Sequence, residues 1–194
     1  MKHATSRIIG MMVAGLLSPA AWAGGTVGQL PDPELREVLV EAVRNSESFS
    51  DPYAAEVWLM DKSSRLRPFI HDKRKRLDLL RQVHREAARA DLDPELVLAV
   101  IEVESAFDRF AISVVGARGL MQVMPFWLDE IGRPDDNLFD VETNLRMGCA
   151  ILRHYLDMEN GDMVRALARY NGSLGRTEYP RRVLNALNQR WFRN

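Results

Sequence analysis

Residues 102–125 read E-V-E-S-A-F-D-R-F-A-I-S-V-V-G-A-R-G-L-M-Q-V-M-P, and this stretch decides the fold and the chemistry of the chain. A Glu-Ser pair closes an apolar helical run. A loop punctuated by Gly116 and Gly119 comes next, and then a second apolar segment. A carboxylate held in apolar surroundings is the part that general acid catalysis on a glycosidic bond requires.

Two glutamates compete for that role. Asp93-Pro94-Glu95 is a strong helix start, with Asp as N-cap, Pro at the first helical position and an acid at the positive dipole end. The helix it opens runs to Ser105. At about 100° per residue, with Val97 set to zero, Leu96, Val100 and Val103 fall on one side and Ile101 on the other. Glu104 then lands at about −20°, inside the apolar arc, while Glu102 lands near 140°, beside Glu95. Glu104 is therefore expected to face the core or a cleft in it, and Glu102 to be a solvated surface acid. A buried carboxylate is paired or has its pKa raised, and a raised pKa keeps a proton available near neutral pH. Periodicity alone leaves a structural cap and a catalytic acid equally open for Glu104.

The rest of the chain reads as helix. Leu35, Val38, Leu39 and Ala42 recur with helical spacing over residues 33–44. Residues 45–56 break the pattern, and Val57-Trp58-Leu59-Met60 reads as an apolar helical turn. Further helices are expected over 73–90, 93–105, 120–131, 141–159, 163–170 and 179–191. No run alternates with period two over five or more residues, so no sheet is expected. The spacing predicts an all-α domain over residues 73–194, preceded by a helical extension over 24–72.

Three blocks within residues 77–191 carry a family resemblance. They are Glu104-Ser105-x-Phe107, then Ala111-x-Ser113-x-x-Gly116-Ala117-x-Gly119-Leu120-Met121-Gln122-Val123-Met124-Pro125, then Ala168-Arg169-Tyr170-Asn171-Gly172. Asn144-x-x-x-Gly148 fits the helix between the second and third blocks. The chain resembles the lysozyme-like lytic transglycosylases of the soluble (SLT) type. One departure is Arg169-Tyr170-Asn171-Gly172-Ser173, where the family often has Ala-Tyr-Asn-Ala-Gly. The resemblance implies a lysozyme-like helical domain of the goose-type/SLT kind. It also implies cleavage of the β-1,4 bond between N-acetylmuramic acid and N-acetylglucosamine in peptidoglycan glycan strands. The family's single glutamate matches Glu104, which would protonate the leaving oxygen. It would then act as base on the muramic acid C6 hydroxyl as a 1,6-anhydro ring closes. Ser113, Gln122, Met124, Tyr170, Asn171 and Tyr179 match substrate-binding positions, with the Tyr179 hydroxyl able to contact the glutamate. A hydrolytic muramidase on the same fold and a non-catalytic peptidoglycan-binding or secretion-associated module are the alternatives.

A conventional glycosidase needs a second carboxylate across the bond. Asp129, Glu130, Asp135, Asp136, Asp140 and Glu142 are candidates, and each sits in polar sequence where a solvated acid or helix cap is the expected role. His71, His84 and His154 have no metal-ligand spacing, and no phosphate loop or Ser-His-Asp pattern occurs, so neither metal nor cofactor is expected. With a net charge of −1, the chain does not call for nucleic acid. Lys73-Arg74-Lys75-Arg76 is expected to be a solvated helix start.

The first 23 residues have the form of a secretory signal: Lys2, His3 and Arg7, an apolar run over 8–17, and Ala21-Trp22-Ala23 as cleavage site. Cys149 is the only cysteine and lies far from that point. A soluble periplasmic protein, with no lipid anchor and no membrane span in the mature chain, is therefore expected. Cys149 itself is expected to be a buried apolar residue.

Overall fold

Asp51-Pro52 opens the first helix of the structure, a computed structural model that describes Ser48 and residues 51–192. All the described residues lie in a unit spanning Asp32–Asn194. The expected signal segment and the helix over 33–44 lie outside the described residues. Helix α1 is Pro52–Leu66, and the Asp51 carboxylate accepts from the backbone N–H of Tyr53 at 3.1 Å and Ala54 at 3.3 Å. Read as sequence alone, this Asp-Pro pair is a break, with only one helical turn at 57–60. Side-chain capping of the orphan N–H groups makes it a helix start of 15 residues.

Helix α2 (Lys73–Arg89) begins at the Asp72 cap and buries Leu77, Leu80, Val83 and Ala87. Helix α3 (Pro94–Ser105) is central. Leu96 through Ile101 are all buried, so its whole circumference is covered. Asp93 occupies the N-cap position but makes no side-chain bond there; Pro94 and Glu95 supply the start signal. Helix α4 (Trp127–Ile131) is short. Helix α5 (Val141–Met158) packs on α6 (Met163–Tyr170) and on α2. Helix α7 (Glu178–Ala186) packs on α3 and α6 and runs into a π-helical turn, Leu187–Trp191. The described residues form no strand; Ile112–Arg118 and Arg118–Val123 are isolated bridges.

Three expectations are corrected here. Residues 120–126 are not helical, because tertiary hydrogen bonds capture their backbone and Gln122 adopts a left-handed φ of 49°. The last helix is α-helical only to Ala186, and its final turn widens so that the Trp191 ring is fully buried. Of the basic run at 73–76, Arg76 is buried rather than solvated. It donates to Ile70 O, His71 O and Ser63 Oγ, fastening α2 to the end of α1.

Helix α1 is joined to the domain core by a polar node. The Lys62 ammonium, 6% exposed, donates to Trp191 O at 2.7 Å and pairs with Glu95 at 3.2 Å. Trp58 Nε1 donates to the same Glu95 carboxylate at 2.8 Å, and Arg65 donates to Arg190 O at 2.6 Å. Residues from α1, α3 and the π-turn thus meet around one buried cation. A buried cation persists only when each of its donors is matched.

Candidate active site

Glu104 sits in the last turn of α3, and the chain bends sharply just beyond it. Ala106 and Phe107 both take left-handed conformations, with φ of 48° and 68°. Two consecutive non-glycine residues there store strain of a kind that clusters at functional sites. The bend is held from both ends. Phe107 is buried against Phe69 and Trp191, with ring centroids 4.9 and 5.7 Å apart. The Ser105 hydroxyl contacts Ile101 O at 3.2 Å and Leu120 O at 2.8 Å, tying the helix end to the second motif.

The loop over residues 111–124 is built on Asn144 of α5. Asn144 is 1% exposed; its Oδ1 accepts from Met121 N, and its Nδ2 donates to Arg118 O and Leu138 O, all at 2.8 Å. Two glycines make room for this. A Cβ on Gly119 would come within 2.4 Å of Asn144 Nδ2 and 2.5 Å of Leu138 O, and its φ is +77°. A Cβ on Gly148, one helical turn from Asn144, would meet Met121 Sδ at 2.5 Å. The Asn144-x-x-x-Gly148 spacing therefore serves packing against Met121. From the other side, Tyr170 Oη donates to Met121 O at 2.8 Å.

The expected site residues divide accordingly. Tyr179 Oη donates to Glu104 Oε1 at 2.6 Å, the direct contact the resemblance implied. Tyr170 lies close enough for the Glu104 charge to add to burial in raising its phenol pKa well above the usual value. Its hydroxyl is nevertheless committed to Met121 rather than to Glu104. Ser113 Oγ accepts from Ala117 N at 3.0 Å, closing its own loop. Gln122 Nε2 donates to Gly119 O at 2.9 Å and Ala111 O at 3.2 Å. Met124 is half-buried, and Asn171 is the exposed C-cap of α6. None of Ser113, Gln122, Met124 or Asn171 hydrogen-bonds Glu104.

Burial pushes the Glu104 carboxyl above its usual pKa, against the opposing effects of the Tyr179 hydroxyl and the Arg182 charge. Sequence reasoning missed Arg182. It lies three residues beyond Tyr179 on one helix face, and that spacing was the signal available. The expectation for Glu102 is also corrected. It is no solvated acid: it accepts from Trp191 Nε1 at 2.9 Å and pairs with Arg190 at 3.1 Å. The face of α3 opposite Glu104 is covered by α1 and the π-turn, which a helical wheel of α3 alone cannot show.

Three of the six candidate second carboxylates are otherwise engaged. Asp140 caps α5 through Thr143 N at 3.0 Å, Asp136 pairs with Arg146 at 2.6 Å, and Glu142 pairs with Arg85 at 3.3 Å. Cys149 is fully buried, and burial drives its thiol pKa far up, consistent with a packing role.

Residues 82–190 match the Transglycosylase SLT domain family, and the chain belongs to that family. It is 36% identical over 109 residues to the transglycosylase of Enterobacteria phage PRD1, covering 53% of this chain and 40% of that one. It is 33% identical over 122 residues to the membrane-bound lytic murein transglycosylase C of Photorhabdus laumondii, covering 54% of this chain and 33% of that one. The chain thus spans less than half the length of these curated relatives. Among solved structures, an inactive mutant of the lytic transglycosylase Slt of Pseudomonas aeruginosa aligns at 23% identity and a TM-score of 0.46. That alignment covers 78% of this chain and 33% of the other.

Proposed function

We propose that the chain is a peptidoglycan lytic transglycosylase that cleaves the β-1,4 bond between N-acetylmuramic acid and N-acetylglucosamine. The observation that carries this reading is Glu104: a carboxyl raised by burial, held by a single phenol at 2.6 Å, at the strained end of the central helix. A carboxyl whose pKa is raised keeps its proton to higher pH than an ordinary glutamate, which suits a general acid. Glu104 donates its proton to the glycosidic oxygen as the bond to C1 of muramic acid breaks. The resulting carboxylate, stabilised by the Tyr179 hydroxyl and the Arg182 charge, takes the proton from the C6 hydroxyl as that oxygen attacks C1. The 1,6-anhydro ring closes and Glu104 is returned protonated. The substrate's own N-acetyl oxygen stabilises positive charge at C1 between the two steps, so no second carboxylate is needed.

The remaining residues position substrate. Gln122 has committed both amide hydrogens to its loop, so its carbonyl is the group left to accept from a sugar hydroxyl or amide. Ser113 accepts from Ala117 and keeps its own O–H to donate to an N-acetyl oxygen. Met124 and Asn171 line the groove, and Tyr170 holds the Gln122 loop through Met121. Export to the periplasm, with residues 1–23 as signal, belongs to the same reading, as does a catalytic domain over residues 73–194 with an extension before it. No described helix is long and apolar enough to cross a membrane. Helix α1, in that extension, completes the support of α3 through Lys62.

The test is mass spectrometry of products from purified peptidoglycan, beside a Glu104→Gln control. Muropeptides ending in 1,6-anhydromuramic acid, absent in the control, are expected. Products heavier by one water would make the protein a hydrolase, and a lack of any Glu104-dependent product would leave a binding module.

A further inference from the structure

Phe107 belongs to a cluster of rings on the side of α3 away from the groove. Its ring centroid lies 4.9 Å from that of Phe69 and 5.7 Å from that of Trp191. Both partners stand outside residues 82–190, which match the family. Each is fixed by polar contacts of its own. Phe69 follows α1, and its backbone N–H donates to Leu66 O at 3.0 Å. Arg76 holds the next two carbonyls, Ile70 O at 2.8 Å and His71 O at 2.7 Å. Trp191 is fully buried, and its carbonyl accepts from the Lys62 ammonium at 2.7 Å. The Trp191 N–H is spent on Glu102, so it is the ring that meets Phe107. The Arg190 guanidinium lies over the Phe69 ring, 5.2 Å from its centroid.

What these rings grip is the bend. Ala106 and Phe107 hold left-handed backbone without glycine, which persists only where the surroundings over-determine it. The backbone bonds at the bend are local: Ala106 N to Glu102 O at 3.1 Å and Asp108 N to Ser105 O at 3.0 Å. Elsewhere around Phe107 there is room, since its side chain also lines a cavity of about 510 Å³ with Ile70, Leu79 and Leu120. We infer that Phe69 and Trp191 are positioning residues for Glu104, acting through Phe107: their rings fix the bend three residues beyond the acid and so hold the end of α3 in place. The inference rests on the reading of Glu104 as the proton donor. It makes the turn between α1 and α2, ahead of the matched residues, part of what keeps the acid in register. The ionisable groups that bear on Glu104 are Tyr179 and Arg182 on α7 and Tyr170 on α6. Phe69 has neither charge nor hydrogen-bonding side chain, so its removal reaches Glu104 through geometry alone.

Phe69 is half-buried and Trp191 fully buried, so Phe69 is the residue to change. The full chain is prepared with isotope-labelled glutamate carboxyls, and the Glu104 signal is identified by its loss in Glu104→Gln. NMR titration of Phe69→Ala should give a Glu104 midpoint lowered toward the ordinary 4.5, because a relaxed bend admits water to the carboxyl. In the same variant kcat for release of anhydro-muropeptides should fall roughly 10- to 100-fold, with KM nearly unchanged. The alkaline limb of the kcat profile should move to lower pH with the midpoint. Phe69→Tyr keeps the ring and should behave as the native chain. Phe69→Leu keeps bulk without the ring; it replaces Phe69→Ala if that variant does not fold, and the same shifts are expected. A Glu104 midpoint that stays native in the folded variant overturns the proposal, whatever happens to Tm or kcat, because the cluster is then structural support only. So does a lowered midpoint with native kcat in a chain that releases anhydro product, or a Phe69→Tyr variant that behaves as Phe69→Ala. A midpoint that falls in a chain that releases no anhydro product leaves the positioning standing and overturns the catalytic reading instead.

Discussion

Glu102 and Glu104 lie two residues apart on one helix and have opposite fates. Glu102 faces the side of α3 closed by the π-turn and receives two nitrogen donors, the indole of Trp191 and the guanidinium of Arg190. Glu104 faces the groove side, receives one phenol, and is otherwise desolvated. The first arrangement fixes a carboxylate as a structural tie. The second leaves the carboxyl reluctant to ionise and therefore able to give a proton away. Residue type is common to both; the number and charge of the donors separate them.

The comparison breaks most visibly on exchange of the acid. Glu104→Gln should remove activity by about a thousandfold, within the range for loss of a positioned acid–base group. Glu102→Gln should retain activity to within a few fold. The assay is release of anhydro-muropeptides from purified peptidoglycan. Comparable losses in the two variants would show that the faces of α3 are not functionally distinct.

Glu102→Leu probes the structural side. It leaves Trp191 Nε1 buried without a partner, which costs about 2 kcal/mol. The Arg190 arm contributes little beyond this, because that side chain is 39% exposed and screened by solvent. A Tm lower by about 4–8 °C is expected from thermal unfolding, with kcat nearly unchanged. A stable protein with collapsed activity would mean that Glu102 acts on the chemistry rather than on the helix.

How much of this contrast the sequence carries differs between the two faces. The groove side is legible, because Glu104 falls within the apolar arc of its own helix and lies inside a long motif. The closed side is not. Its partners, Trp58, Lys62, Arg190 and Trp191, come from sequence up to 89 residues away from Glu102, and periodicity reports only the local helix. The helix misassigned at 120–126 has the same origin. Its apolar pattern is real, but Asn144 and Tyr170 bind the backbone that an α-helix would have used itself. The expectation for α1 fails for a nearer reason: Asp51-Pro52 reads as a turn signal, yet it also meets the requirements of a capped start.

Tyr179→Phe sharpens the contrast by removing the single donor on Glu104. The hydroxyl now stabilises the carboxylate, so its loss should push the Glu104 pKa higher still. The alkaline limb of the kcat profile, where the acid loses its proton, should therefore move to higher pH, and kcat at its optimum should fall about tenfold as the carboxylate loses its orientation. A fall in kcat without movement of the limb would reduce Tyr179 to packing.

The smallest effect is thermodynamic, and its sign distinguishes a destabilised acid from a structural one. In the folded chain the Glu104 pKa lies above its ordinary value of 4.5. Between those two values the folded state holds a proton that the unfolded state has released. Raising the pH through this window therefore favours unfolding, and the penalty is complete once the folded carboxyl has ionised. Gln at 104 cannot ionise and keeps an oxygen for the Tyr179 hydroxyl. Glu104→Gln should thus match the native Tm near pH 4 and exceed it by a growing margin until the pH passes the folded pKa, where the margin levels off. A margin that stays at zero, or turns negative, as pH rises would mean that the charged carboxylate is as well satisfied as Glu102, and the physical basis for a proton donor at this position would be gone.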